Sequence, residues 1–227
     1  MGVSYGGTLQ VRTGAERATL VRRTYALVFA GVLVTILATA IAFTQPALMA
    51  AVIAHRWIAL ACVFAPLLLA GRARTGDRAS AVSSLGLLGL FTFAIGLWIS
   101  PLVWMLEQRQ PGIAAQAGLI TGGAFAVLTG YAFVSRRDFS AWGSFFVVGL
   151  WVLIATSVIN LFVGSAIGGL WIAAATVLVF SGLLVFDTWR LRNVYGPDEY
   201  VSAALMIYLD LLNMFLAVLQ ILSGRRR

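Results

Sequence analysis

From Phe139 to Phe186 the chain runs for 48 residues without a charged side chain. A bilayer's hydrocarbon core is about 30 Å thick, and an α-helix needs roughly 20 apolar residues to cross it. The run is therefore too long for one crossing and right for two, with the stretch GSAIGG (Gly164 to Gly169) as the turn between them. Hydrophobic residues make up 61% of the 227, and charged residues only 11%, a balance that does not suit a water-soluble domain of this size.

The remaining apolar stretches complete the expected set. First comes Thr24 to Thr44, too long for the apolar core of a cleavable signal peptide and ended by Gln45-Pro46. The second is Met49 to Gly71, the third Ala79 to Met105 and the fourth Gly112 to Val134. Within the uncharged run the fifth is Ala141 to Val163 and the sixth Gly168 to Trp189, and Tyr200 to Leu222 is the seventh. The expected fold is an all-α integral membrane protein: residues 1–23 a polar tail with at most a short surface helix, 24–222 a seven-transmembrane helical bundle, and 223–227 a basic tail.

All 16 basic residues are arginines, a bias that suits a GC-rich bacterial source, and the net charge is +8. They sit in short clusters between apolar segments and form no basic face, so the charge orients the chain in a membrane and implies no nucleic-acid partner. Placing the N-terminus in the cytoplasm puts Arg12, Arg17, Arg22, Arg23, Arg72, Arg74, Arg78, Arg136, Arg137, Arg190 and Arg192 inside, and leaves Arg56 and Arg109 outside. A bacterial cytoplasmic (inner) membrane with the N-terminus inside is the expected setting. The one cysteine, Cys62, cannot form an intramolecular disulfide, and the one histidine, His55, has no second ligand at zinc-site spacing.

Only eight acidic residues occur, and Asp187 and Asp210 fall inside apolar stretches. A charge at the centre of a bilayer costs about 2.5–3.5 kcal/mol on insertion scales, so each needs a partner or a cavity. Asp187 could pair with Arg190 three residues on, as an interfacial carboxylate would. Asp210 shares a helix face with Asn213, Ala217 and Gln220. Helices six and seven are antiparallel across a short loop, which would bring the two aspartates together. Two carboxyls in one site cannot readily both ionise, so the pair is expected to keep a proton toward neutral pH, clamping the helices when protonated and repelling when not. Ionised, Asp187 and Asp210 offer hard oxygen ligands of the kind calcium takes. Arg72 or Arg74 could serve as a counter-ion. Asn213, Gln220 and, in the fifth span, Asn160 read as interhelical packing or pore-lining groups. In the inner hairpin Arg136-Arg137, Asp138 or Ser140 could cap the fifth helix.

Two motifs carry a family resemblance. GYAFVSRRDFSAWGSFF (Gly130 to Phe146), followed by NLF (Asn160 to Phe162), and VFDTWRL (Val185 to Leu191), followed by YLDLLNMFLAVLQIL (Tyr208 to Leu222), together resemble the Bax inhibitor-1 family, over about Gly118 to Gly224. The resemblance implies a last helix central to the other six, and a pH-sensitive calcium leak whose proton sensor is the pair at Asp187 and Asp210. It also implies an arginine latch from the second helix, for which Arg72, Arg74 and Arg78 are the candidates. No cofactor is expected beyond calcium as the transported ion. The alternative it leaves open is a non-transporting regulator that binds other membrane proteins, such as a quality-control protease. An enzyme is not expected: intramembrane aspartyl proteases carry Gly-x-Gly-Asp, where this chain has Ile207-Tyr208-Leu209-Asp210, and a serine protease of rhomboid type would need a histidine in the other half of the chain.

Overall fold

Inside a bilayer no water is present to satisfy backbone N–H and C=O groups, so an apolar chain of this kind must close its hydrogen bonds within helices. A computed structural model of the chain describes residues 14–55 and 78–224, with side chains from 84 onward in the second stretch, and has seven helices among those residues. They are α1 (Gly14–Thr44), α2 (Pro46–Ala54), α3 (Arg78–Arg109), α4 (Ile113–Val134), α5 (Trp142–Val163), α6 (Ala166–Asn193) and α7 (Tyr200–Gly224). All but α2 are long and apolar enough to cross a membrane, α3 by its segment Ser84–Arg109.

Several boundaries differ from the sequence expectation. Helix α1 begins at Gly14, ten residues before Thr24, because Ala15, Glu16, Arg17, Ala18 and Leu20 are good helix formers and Glu16 complements the positive end of the helix. Leu20, in this extension, is buried. Gln45-Pro46 interrupts the helix for one residue only, since Pro46 fits the first position of α2. The expected second span falls largely on residues 56–77, so Arg56, Cys62, Arg72 and Arg74 lie outside the described residues. The turn read from GSAIGG shrinks to two residues: Gly164 takes the left-handed conformation (φ 68°), and Ser165 Oγ accepts from Gly168 N at 3.0 Å to cap α6. Asp138 Oδ1 accepts from Ser140 N at 2.8 Å in an Asx turn, and α5 has no side-chain cap from either residue.

Helix α7 packs against α1, α3, α4 and α6, whereas α5 packs mainly on α6. Its side chains Ile207, Met214 and Leu219 are fully buried. Lipid tails are as apolar as leucine, so close packing and interhelical hydrogen bonds hold such a bundle together. The α1–α3 contact shows how. A Cβ at Gly96 would collide with the Thr35 carbonyl, and that closeness lets Thr39 Oγ1 donate to Gly96 O at 2.9 Å and Thr35 Oγ1 to Thr92 O at 3.0 Å.

Candidate functional site

Helix α6 turns Leu184, Asp187, Thr188 and Leu191 toward the bundle interior at spacings of three and four, and all four are buried. On α7 the matching face is Ala203, Ile207, Asp210, Met214 and Ala217. These two faces meet, and they bring the aspartates with them. Asp187 is 6% exposed and Asp210 4%. Measured along the helices they lie about 9 Å and 15 Å from the α6–α7 turn, at 1.5 Å per residue. Both carboxyls thus lie on the interface between α6 and α7.

The surroundings of the two carboxyls are unequal. Arg190 Nη1 donates to Asp187 Oδ1 at 3.2 Å, one turn along α6. The same guanidinium lies 4.8 Å from the Tyr195 ring centre and 5.7 Å from that of Phe186. Burial, then the neighbouring Asp187 carboxylate, pushes the Tyr195 phenol in the turn up to about 12, so it keeps its proton at physiological pH. Asp210 has no cation of its own in the contacts described, and its Oδ2 is buried with no hydrogen-bond partner. A buried acceptor left unpaired costs about 1–3 kcal/mol, more when charged.

Hydroxyl pairs also tie α1 to both helices. Tyr25 OH on α1 and Thr188 Oγ1 on α6 are 3.1 Å apart, and Tyr208 OH on α7 is 2.7 Å from Thr35 Oγ1 on α1. Sequence reasoning did not find these partners, because Tyr25 and Thr188 are 163 positions apart and neither carries a local signal.

The remaining expected site residues separate into groups. The counter-ion beside Asp187 is Arg190; Arg72 and Arg74 are not described, and Arg78 opens α3 with its side chain not described. Asn160 and Gln220 converge from α5 and α7 on α6 at the opposite end of the bundle. Gln220 Nε2 donates to Gly169 O at 3.2 Å, and a Cβ at Gly168 would lie 2.7 Å from Asn160 Oδ1. Asn213 Nδ2 donates within its own helix to Leu209 O at 2.8 Å. All three amides line a wide cavity of about 1570 Å³ between α3, α5, α6 and α7. For calcium the ligand set is small: no cluster of three or more His, Cys, Asp or Glu side chains occurs among the described residues, against the six to eight oxygens the ion takes. The pair could offer a passing cation two carboxylates but not a full coordination shell.

A helical bundle built around its last helix, with a buried aspartate on each of the final two helices, defines a polytopic membrane protein. The chain belongs to the Bax inhibitor-1 family: the family model described as Inhibitor of apoptosis-promoting Bax1 matches residues 17–227. The match takes in the first half of the chain, where the sequence motifs were silent. Among its relatives, Bax inhibitor 1 of Schizosaccharomyces pombe is 34% identical over 208 residues, 91% of this chain and 77% of that protein. Protein lifeguard 4 of Mus musculus is 31% identical over 225 residues, 97% of this chain and 91% of the other. A bacterial relative, a membrane protein of Vibrio cholerae, is 38% identical over 146 residues, 62% of this chain and 65% of that protein.

Proposed function

We propose that this chain is a pH-sensitive calcium leak of a bacterial cytoplasmic membrane, oriented with its N-terminus inside, and that the carboxyls of Asp187 and Asp210 form its proton-operated gate. The observation that carries the proposal is the unpartnered Asp210 Oδ2 beside a second buried carboxyl. Sharing a proton, the pair makes a hydrogen bond between α6 and α7 and presents a single negative charge. Without the proton, two like charges face each other in a medium of low dielectric, where their repulsion is several times that in water. Arg190 offsets part of that charge at Asp187, so the helices respond chiefly at Asp210. The ionised pair is also the form with two carboxylates to offer a divalent cation on its way past Asn213 and Gln220.

Calcium flux into vesicles reconstituted with the purified chain tests this. Wild-type flux should change between pH 6 and pH 8, and Asp210→Asn should flatten that dependence while leaving the protein folded. A pH profile of Asp210→Asn that overlays the wild type rejects the gate. A second reading is a regulator that acts by binding other membrane proteins. The name of the yeast relative, Bax inhibitor 1, favours it, as does the lipid-exposed aromatic surface of α5, with Phe145, Trp151 and Phe162 outward. A leak survives purification in isolation, whereas an effect that needs a partner does not.

A further inference from the structure

The cavity of about 1570 Å³ that Asn160, Asn213 and Gln220 line has a depth that three helices measure independently. Its lining runs from Arg109 to Trp98 on α3, from Ala166 to Thr176 on α6 and from Gly224 to Asn213 on α7, each about 15–16 Å at 1.5 Å per residue. That is half of a hydrocarbon layer about 30 Å thick. Pro111 and the link residues Gly164 and Ser165 line it too, so it opens at the face of the bundle where α3 and α5 end and reaches the middle. Polar groups continue all the way in. Asn213 spends its Nδ2 on Leu209 O and keeps Oδ1 as an acceptor. On α5 the side chains of Ser157 and Asn160 make no hydrogen bond among the described residues, and Ser157 is exposed and Asn160 half-buried. An amide or hydroxyl in hydrocarbon without a partner is costly, and water supplies donors and acceptors alike.

One charged side chain stands on this lining among the described residues, Arg109, at the mouth and exposed. The ion pair found among those residues joins Arg190 to Asp187, at the other end of the bundle. Glu107 lies two residues before Arg109 but is engaged elsewhere: its oxygens accept from Gly112 N at 2.7 Å and Ala114 N at 3.2 Å, at the start of α4. Helix ends of both signs ring the mouth, since α3, α5 and α7 finish there and α4 and α6 begin, so their partial charges largely offset one another. The guanidinium therefore decides the sign of the field. A fixed cation at the mouth of a cleft with low-dielectric walls raises the local concentration of anions and lowers that of cations.

We propose that this cavity is a water-filled vestibule reaching mid-membrane, and that Arg109 sets its charge preference, admitting small anions ahead of cations. In the leak proposed above, on which this one consequence rests, Arg109 limits the rate at which calcium enters. The test uses the full chain in lipid nanodiscs with Cys62→Ala, which removes the one native thiol. Single cysteines replace Ser157 and Thr176, which line the vestibule, and Val158, which is exposed to lipid at nearly the same depth as Ser157. Each is modified with a cationic and with an anionic methanethiosulfonate, and each rate is divided by that of the same reagent with a free thiol in solution.

Ser157→Cys and Thr176→Cys should react about tenfold faster than Val158→Cys, because thiols in hydrocarbon stay protonated and charged reagents stay out. Adding Arg109→Gln should lower the anionic-to-cationic ratio at Ser157→Cys about three- to tenfold in about 10 mM salt, since a charge on the order of 10 Å away acts on the two reagents in opposite senses. Arg109→Lys should preserve the ratio, and about 1 M salt should erase the difference. Vestibule cysteines that react no faster than Val158→Cys would mean that acyl chains fill the cavity, and would overturn the proposal. A ratio that Arg109→Gln leaves unchanged at low salt overturns it as well. In reconstituted vesicles Arg109→Gln should raise calcium flux about threefold with the same pH dependence, and unchanged flux overturns the limit on calcium entry. A wild type that carries no calcium at any pH rejects the leak instead, and the thiol ratios then decide the vestibule alone.

Discussion

The α6–α7 pair is polar at both ends, and the two ends solve the problem of polarity in lipid differently. At the opposite end from the arginines, Gln220 donates to Gly169 O and Asn160 lies over Gly168, so an amide from each flanking helix settles on the backbone of α6. Nearer the turn, Asp187 and Asp210 place two buried acceptors beside one arginine, and one oxygen is left over. Amides carry donors and acceptors at every pH, so their end is a fastening. Carboxyls acquire a donor only by binding a proton, so in the proposed function their end has two states. Where a bundle places acids in place of amides, it gives up a permanent tie for one that can be released.

Three substitutions at the amides and the backbone they touch sharpen this contrast. The largest effect is expected from Gly168→Leu, which drives a side chain into Asn160 and Ser165. Overpacking of this kind costs about 1–3 kcal/mol, and thermal unfolding in detergent should fall by an equal amount at pH 5 and pH 8. Next is Gln220→Glu, which turns the fastening into a titrating group. Protonated, the new carboxyl donates to Gly169 O as the amide does; ionised, it faces an acceptor with nothing to give. Stability should match the wild type below about pH 4 and drop by about 1 kcal/mol as the pH rises to about 6, because 1 kcal/mol corresponds to less than one pKa unit above the ordinary glutamate value. If that variant shows no new pH dependence, the distinction between the two ends is wrong. The smallest effect belongs to Asn213→Leu. Its amide bonds only to its own helix, so unfolding should shift by no more than a few tenths of a kcal/mol, and a larger shift would mean that Asn213 ties helices together after all. Together with the loss of pH dependence in Asp210→Asn, these variants map which polar groups hold the bundle and which switch it.

Much of this was legible in the sequence, for identifiable reasons. Long apolar runs announce crossings because the bilayer allows nothing else, and Asp187 and Asp210 stood out because an ionisable group there is costly. The i+3 spacing to Arg190 was visible too, since a helix puts those positions on one face. The latch arginines expected from the family resemblance, Arg72, Arg74 and Arg78, lie outside the described side chains. What could not be read were contacts between distant segments, such as Tyr25 with Thr188. Glycine was equally silent: Gly96 lets two helices touch, while Gly118 leaves a space open, and nothing in either local sequence tells them apart.

The two-residue link between α5 and α6 has a mechanical result. With only Gly164 and Ser165 between them, neither helix has slack to slide along its axis without pulling the other. Helix α5 presents most of its surface to the lipid tails, so a displacement of its Gly164 end is passed straight to the start of α6. The same short link that saves chain length thus couples the most lipid-exposed helix of the bundle to one that packs against its central helix.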